Sequence, residues 1–200
     1  NETGSVLAFL PGQGEIRRVE DRLTEKLRGT PLAERVDIAP LHGALDPRAQ
    51  DRAVSPTETG RRKVVLATSI AETSLTIEGV RIVVDCGLAR VPRYEPDAGV
   101  TRLETVRVSR AAADQRRGRA GRTEPGVCYR LWDEPETQAL PAFQPPEILA
   151  ADLSGLVLDC AAFGVADPNA LRFLDPPPGP ALAEARALLT GLHAIDATGR

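Results

Sequence analysis

The sequence predicts an α/β fold: a mostly parallel sheet with helices on both faces, a β-hairpin inserted late, and a small helical segment after it. Three observations carry this reading of the 200 residues. Short β-branched runs alternate with helix-period stretches through the first part of the chain, which is the pattern of strands joined by crossover helices. One of those runs, "KVVLAT" at 63–68, shows no polar alternation and suits a strand buried on both faces. Farther on, "VPRYEP" and "VTRLETVRVS" do alternate, and "PDAG" at 96–99 stands between them as a turn.

In order along the chain, "SVLAFL" (5–10) reads as the first strand. "PGQGEIRRVEDRLTEKL" follows as a glycine turn and an amphipathic helix with Ile16, Val19, Leu23 and Leu27 at helical spacing. "VDIAPL" (36–41) is a second strand, and "DPRAQDRAV" (46–54) a helix with Asp46 as N-cap and Pro47 at its first position. "KVVLAT" and "VRIVVD" (80–85) supply two more strands, the hairpin occupies about 91–109, and "VCYRLW" (127–132) closes the sheet. The proline-rich "LPAFQPPE" marks a boundary. Past it, 148–164 and 180–195 read as two helical stretches, so residues 1–140 are expected to form one domain and 141–200 a linker with the start of a second, incomplete one.

Composition bounds the function. Hydrophobic content of 42% with 26% charged residues is ordinary for a soluble globular chain, and no apolar run approaches the roughly 18 residues of a membrane span. Cys86, Cys128 and Cys160 are far apart, without a CxxC pair and with only two histidines, so a zinc site is not expected and the thiols read as reduced and intracellular. The chain contains no methionine and opens "NETGSVLAFL", which reads as a piece of a longer protein.

Against a formal net charge of −3, "QRRGRAGR" at 115–122 packs four arginines and two glycines into eight residues. On one continuous helix, at about 100° per residue, Gln115, Arg119 and Arg122 fall within roughly 60° of one another, while Arg116 and Arg117 turn away. Glycine in a helix costs about 1 kcal/mol relative to alanine, so Gly118 and Gly121 suggest close approach by another backbone or a ligand. Residues 102–122 hold seven arginines against Glu104 and Asp114, a concentration suited to phosphate. A solvated basic helix is the alternative. "ATSIAETSLTI" (67–77) follows a buried strand and is crowded with hydroxyls at the edge where sheets of this kind bind ligands; ordinary turn chemistry is the competing explanation there.

Together, "LAFLPGQGEI", "LHGAL", "ATSIAETSLTI", "VVDCGLAR" and "QRRGRAGR" resemble motifs IV, IVa, V, Va and VI of the DEAH-box helicases, in order and spacing. The continuation "PPEILAADLSGLVLDCAAFGVADP" is similar to their bacterial HrpB-type members. The resemblance covers nearly the whole chain and implies a second RecA-like domain followed by the start of a winged-helix domain. It implies that Gln115, Arg119 and Arg122 face the γ-phosphate of ATP, that Ser74 senses that phosphate or the attacking water, and that Glu78, where the family commonly has aspartate, lies near the ribose. Thr68 and Thr76 match positions that touch RNA phosphates, while Ser69 replaces the family's usual asparagine. Gly12 and Gly14 would let a turn approach the same single strand, and Arg93 and Arg102 of the hairpin could touch it too; a plain strand-to-helix turn and a solvated hairpin remain open alternatives.

No GxxxxGK[ST] loop and no DEAH tetrad occurs in the sequence. The ATP and its Mg²⁺ are therefore expected to be held by an upstream RecA-like domain of the same protein, with no metal ligands here and no hydrolysis by this piece alone. The implied partners are RNA, gripped mainly by its backbone, and that upstream domain, in a bacterial cytoplasm and not at a membrane. Two other classes stay open: a non-catalytic arginine-rich module that binds nucleic acid directly, and a nucleotide-binding enzyme using "PGQGE" as its phosphate turn. His42 reads as positioning or structural and not catalytic, the cysteines as buried small apolar residues, and Trp132, Tyr129 and Phe143 as core or interdomain packing and not base-stacking platforms.

Overall fold

The computed structural model describes residues 3–73, 75–95, 98–122 and 124–199. Five strands, β1 (Ser5–Phe9), β2 (Val36–Leu41), β3 (Arg62–Ala67), β4 (Val80–Asp85) and β7 (Val127–Arg130), form one sheet in the order β2-β3-β1-β4-β7. Every pairing in it is parallel. Leu7, Phe9, Val65, Ala67 and Val83 are buried to 1% exposure or less, as expected of strands covered on both faces. The register sets Phe9 beside both Ala67 and Asp85, and Asp85 beside Arg130. One edge of the sheet therefore gathers all the strand ends that lead into the motif loops.

The helices form where the sequence patterns place them. Helix α1 (Gln13–Leu27) buries Ile16, with Val19, Leu23 and Leu27 half-buried along the same stripe. Helix α2 (Pro47–Val54) is capped by Asp46, whose carboxylate accepts from the Ala49 N–H at 3.0 Å. At its other end the buried Lys63 donates to the carbonyls of Arg52 and Ser55 at 2.7 and 2.6 Å, a cation satisfying orphan carbonyls. Burial pushes the Lys63 pKa down, with Asp37 opposing. The remaining helices are α3 (Ile70–Thr73), α4 (Arg110–Arg117), α5 (Glu134–Ala139), α6 (Ser154–Ala162) and α7 (Gly179–Gly191).

Strands β5 (Leu88–Glu95) and β6 (Val100–Arg107) form the expected hairpin as a separate two-stranded sheet. Pro96 and Asp97 of its turn lie outside the described residues. Alternation marked these strands correctly without marking a buried face, since β6 is exposed at every position except Val106. The chain divides into two compact units: residues up to Arg90 with Thr105–Gln144, and Val91–Glu104 with the residues from Pro145 onward. In the second unit, α6 and α7 pack through Leu153, Val157, Leu182, Ala185 and Leu189.

Some expectations are corrected. The stretch 148–164 is not one helix: a 3₁₀ turn spans Glu147–Leu149 and α6 begins only at Ser154. Asp152 accepts from the Ser154 backbone N–H at 2.9 Å and its hydroxyl at 2.7 Å, a local bond that competes with helix continuation. Tyr129 and Phe143 are 47% and 75% exposed, so of the core or interdomain packing expected of them the core part does not hold, while Trp132 does pack, against the cluster of Ala89, Val108, Ala113 and Leu140. Of the cysteines only Cys160 is buried; Cys86 and Cys128 are half-buried, and all three are free.

Candidate functional site

Helix α4 is firmly seated. The buried Ser109 caps it by accepting from the Ala112 N–H at 3.1 Å, and the N–H groups of Arg110 and Ala111 donate to the carbonyls of Pro141 and Ala142. Its α-helical geometry stops at Arg117, and Gly118–Gly121 continue as a 3₁₀ turn. This corrects the single continuous helix assumed for the octet. The glycines weaken the helix, and the tighter turn lets Arg119 reach the neighbouring loop.

Arg116 turns away from Arg119 and Arg122, into the core and not into solvent. It is fully buried, with Nη1 2.7 Å from Asp85, Nε 2.8 Å from Glu72, a further bond to the Leu88 carbonyl at 3.2 Å, and its guanidinium 4.8 Å from the centre of the Phe9 ring. Asp85 is fully buried as well and also accepts from the Gly87 N–H at 2.9 Å. Burial works against the Arg116 charge, but Asp85 and Glu72 outweigh it and hold its pKa above the ordinary arginine value. Sequence reasoning did not assign Arg116, Asp85 or Glu72 to the site. One signal was present: an aspartate closing an apolar buried strand requires a charged or hydrogen-bonding partner.

Arg119 is 9% exposed and donates to the carbonyls of Glu72 and Leu75, the latter at 2.9 Å. Burial lowers its pKa, followed by repulsion from Arg122, with Glu72 opposing. Arg122 is exposed, and its Nη1 donates to the Thr76 hydroxyl at 2.7 Å. The structure thus brings Arg119 and Arg122, from the turn after α4, against Thr76 and its neighbours in the segment between β3 and β4. Gln115 is exposed on α4, Thr68 is half-buried just past the end of β3, Ser69 is exposed beside it, and Glu78 is exposed in the turn entering β4. Ser74 lies outside the described residues.

The other arginines of this basic stretch are largely neutralised. Arg102 pairs with Glu95, Arg107 with Glu136 and Arg117 with Asp114, besides Arg116 with its two carboxylates. Arg93 is exposed and pairs with Glu104 at 2.8 Å. Gly12 is the extended N-cap of α1, and a side chain there would meet the Arg90 guanidinium at 2.6 Å; Arg90 in turn pairs with Glu15. Among the described residues, their own chain neighbours and local turn backbone aside, nothing comes within 4 Å of where a Cβ on Gly118 or Gly121 would stand, so the close approach inferred for them is not made by this chain's described backbone. His42 is 7% exposed at the end of β2. Among the described residues, no group of three or more His, Cys, Asp or Glu is placed to hold a metal ion, and no helix is long and apolar enough to cross a membrane.

The family described as the helicase conserved C-terminal domain matches residues 1–124. Over 195 residues the chain is 48% identical to the ATP-dependent RNA helicase HrpB of Escherichia coli (strain K12), covering 98% of this chain and 24% of that protein. It is 41% identical over 197 residues to a probable ATP-dependent RNA helicase, DHX34, of Mus musculus, covering 98% of this chain and 17% of that one. Two solved structures of Escherichia coli HrpB, described as a DExH-box NTPase and as a DEAH/RHA helicase, match with TM-scores of 0.82 and 0.88. Each is 47% identical, and the match covers 98% of this chain and 24% of the solved one. The chain spans about a quarter or less of the length of these relatives.

Proposed function

Since this chain belongs to the family of the helicase conserved C-terminal domain, we propose that it is the arginine-bearing half of a split ATP site in a DEAH-box RNA helicase. The observation that carries this is the state of Arg119 and Arg122. Both stand on the 3₁₀ turn after α4 or at its end, reach across to the loop that follows β3 and bond to neutral oxygens there, while Arg102, Arg107, Arg116 and Arg117 already meet carboxylates. Their charge is left for an anion that approaches from outside the chain.

ATP supplies the phosphoryl group and its leaving group when bound. The donor set here suits that end of the nucleotide, because planar guanidiniums bind phosphate oxygens bidentately. Arg122, exposed and tied only by the Thr76 hydroxyl among its described bonds, swings to a phosphate oxygen. Arg119 is held from behind by two carbonyls and presents a fixed positive charge. Such arginines are worth roughly 10³–10⁵ in rate, since they neutralise charge that develops in the transition state. Gln115 offers an exposed amide on the same stretch for the γ-phosphate, and Glu78 and Ser74 are the proposed ribose and γ-phosphate contacts. The Mg²⁺ is assigned in this reading to the upstream domain, and Arg119 and Arg122, as cations, would repel it.

Thr68 and Thr76, with Gly12 and Arg93, are the proposed contacts to the RNA backbone, which hold a strand without reading it. The working partners are then single-stranded RNA and the upstream RecA-like domain, in a bacterial cytoplasm. The test is RNA-stimulated ATP turnover by this chain alone and by a longer chain that includes the preceding domain. Turnover in the longer chain only is expected; turnover by the short chain would place a complete phosphate site within it and refute the split.

A further inference from the structure

We propose that Glu72 is a positioning residue for Arg119, with Arg116 as the fixed post that holds Glu72; this rests on the reading of Arg119 as a phosphate-facing arginine. The two functional groups of Glu72 face two different arginines. Its carboxylate accepts from Nε of Arg116 at 2.8 Å, with Nη2 in ion-pair contact at 2.7 Å, and its backbone carbonyl accepts from the Arg119 guanidinium. The helix that carries Glu72, α3, has only four residues. A single turn does not hold its own shape in water, so the direction of its carbonyls depends on what anchors it.

The anchors of α3 include Ala71, which is completely buried, Ile70, which packs on the core, and Glu72, which is bound to Arg116. Arg116 is immobile for reasons independent of Glu72: no exposure, the Asp85 carboxylate at 2.7 Å, the Leu88 carbonyl at 3.2 Å and the Phe9 ring beneath it. The chain of contacts therefore runs from a rigid core cation through one carboxylate to the carbonyl that aims Arg119. The Leu75 carbonyl, at 2.9 Å, completes the clamp from the C-terminal side of the same turn. Removing the Glu72 side chain leaves Arg116 with Asp85 and the apolar anchors in place, but cuts the polar tie between the turn and Arg116 that fixes the direction of the Glu72 carbonyl.

Misplacing a reacting group by about 1 Å costs up to about 100-fold in rate. In the full-length protein, Glu72→Ala is expected to lower kcat for RNA-stimulated ATP turnover by about 10- to 100-fold. KM for ATP and RNA affinity should stay within about twofold, because the loss is of aim and not of binding. A double-mutant cycle makes the test specific: in the Arg119→Ala background, Glu72→Ala should cost less than about twofold more, since there is then no guanidinium to aim. An unchanged kcat in Glu72→Ala, or a full second loss in the Arg119→Ala background, overturns the proposal while leaving the arginine assignment standing. Wild-type turnover in Arg119→Ala would remove both. Should Glu72→Ala fail to fold, Arg116→Lys decides: it keeps a cation beside Asp85 but cannot span both carboxylates, and wild-type kcat in it overturns the proposal equally.

Discussion

Arg116→Ala is the sharpest test of how the site is built. The substitution strips the fully buried Asp85 carboxylate of its guanidinium at 2.7 Å and the part-buried Glu72 of a hydrogen bond at 2.8 Å and an ion-pair contact at 2.7 Å. The Asp85 carboxylate keeps only the Gly87 N–H at 2.9 Å among its described hydrogen bonds. Breaking a buried pair by removing one partner costs about 3–5 kcal/mol, because the remaining charge is left uncompensated. Each kcal/mol lowers Tm by about 2–4 °C in a protein of this size, so the expected drop is about 6–20 °C. Arg117→Ala is the control one residue away: Arg117 is 62% exposed and 3.5 Å from Asp114, and an exposed pair of this kind contributes about 0–1 kcal/mol. Calorimetry or circular dichroism melts on both variants decide it. If Arg116→Ala melts as Arg117→Ala does, the buried triad does not anchor this edge of the sheet and the argument from burial fails.

The glycines around the site separate in the same assay. An alanine Cβ at Gly126 would stand 1.8 Å from the Ala120 carbonyl oxygen and 2.6 Å from that of Arg81, both backbone, so Gly126→Ala should cost about 1–3 kcal/mol or more. At Gly118 the φ is −61° and the space is open, so Gly118→Ala should be neutral or stabilising by up to about 1 kcal/mol. Cys86 and Cys128 give a pH dependence. Burial raises both thiols, with Arg116 partly opposing at Cys86 and Asp85 reinforcing at Cys128. Their folded pKa exceeds the unfolded one, so their contribution is complete below the ordinary thiol value of about 8.5 and is lost as pH rises through the folded values. Alkylation should accordingly reach its plateau rate at higher pH in the native chain than in urea; coincident profiles would contradict the burial.

What the sequence made legible and what it hid follow one physical division. β2 and β4 fall on 36–41 and 80–85 as read, because unbroken β-branched runs between turn residues leave little choice. The Asp46 cap and Pro47 start of α2 are equally local signals. The parallel RecA-like sheet and its hairpin follow from the order of such segments. The octet exposed the limit: its helix ends at Arg117 because Arg119 answers to carbonyls 44 and 47 residues away. Arg116 owes its burial to Asp85 and Glu72, 31 and 44 residues distant. Spacing within eight residues shows that the arginines differ in direction, but which of them is neutralised is decided by partners that only the fold assembles.

The most direct measurement of the central claim is ATP turnover, with and without RNA, in the full-length protein carrying Arg119→Ala or Arg122→Ala, alongside RNA affinity at fixed salt. The account predicts that turnover falls by roughly 10³-fold or more, with RNA binding largely kept. Wild-type turnover in both variants, or RNA binding lost in step with turnover, would contradict it, the second outcome pointing to arginines that meet RNA phosphates instead of ATP.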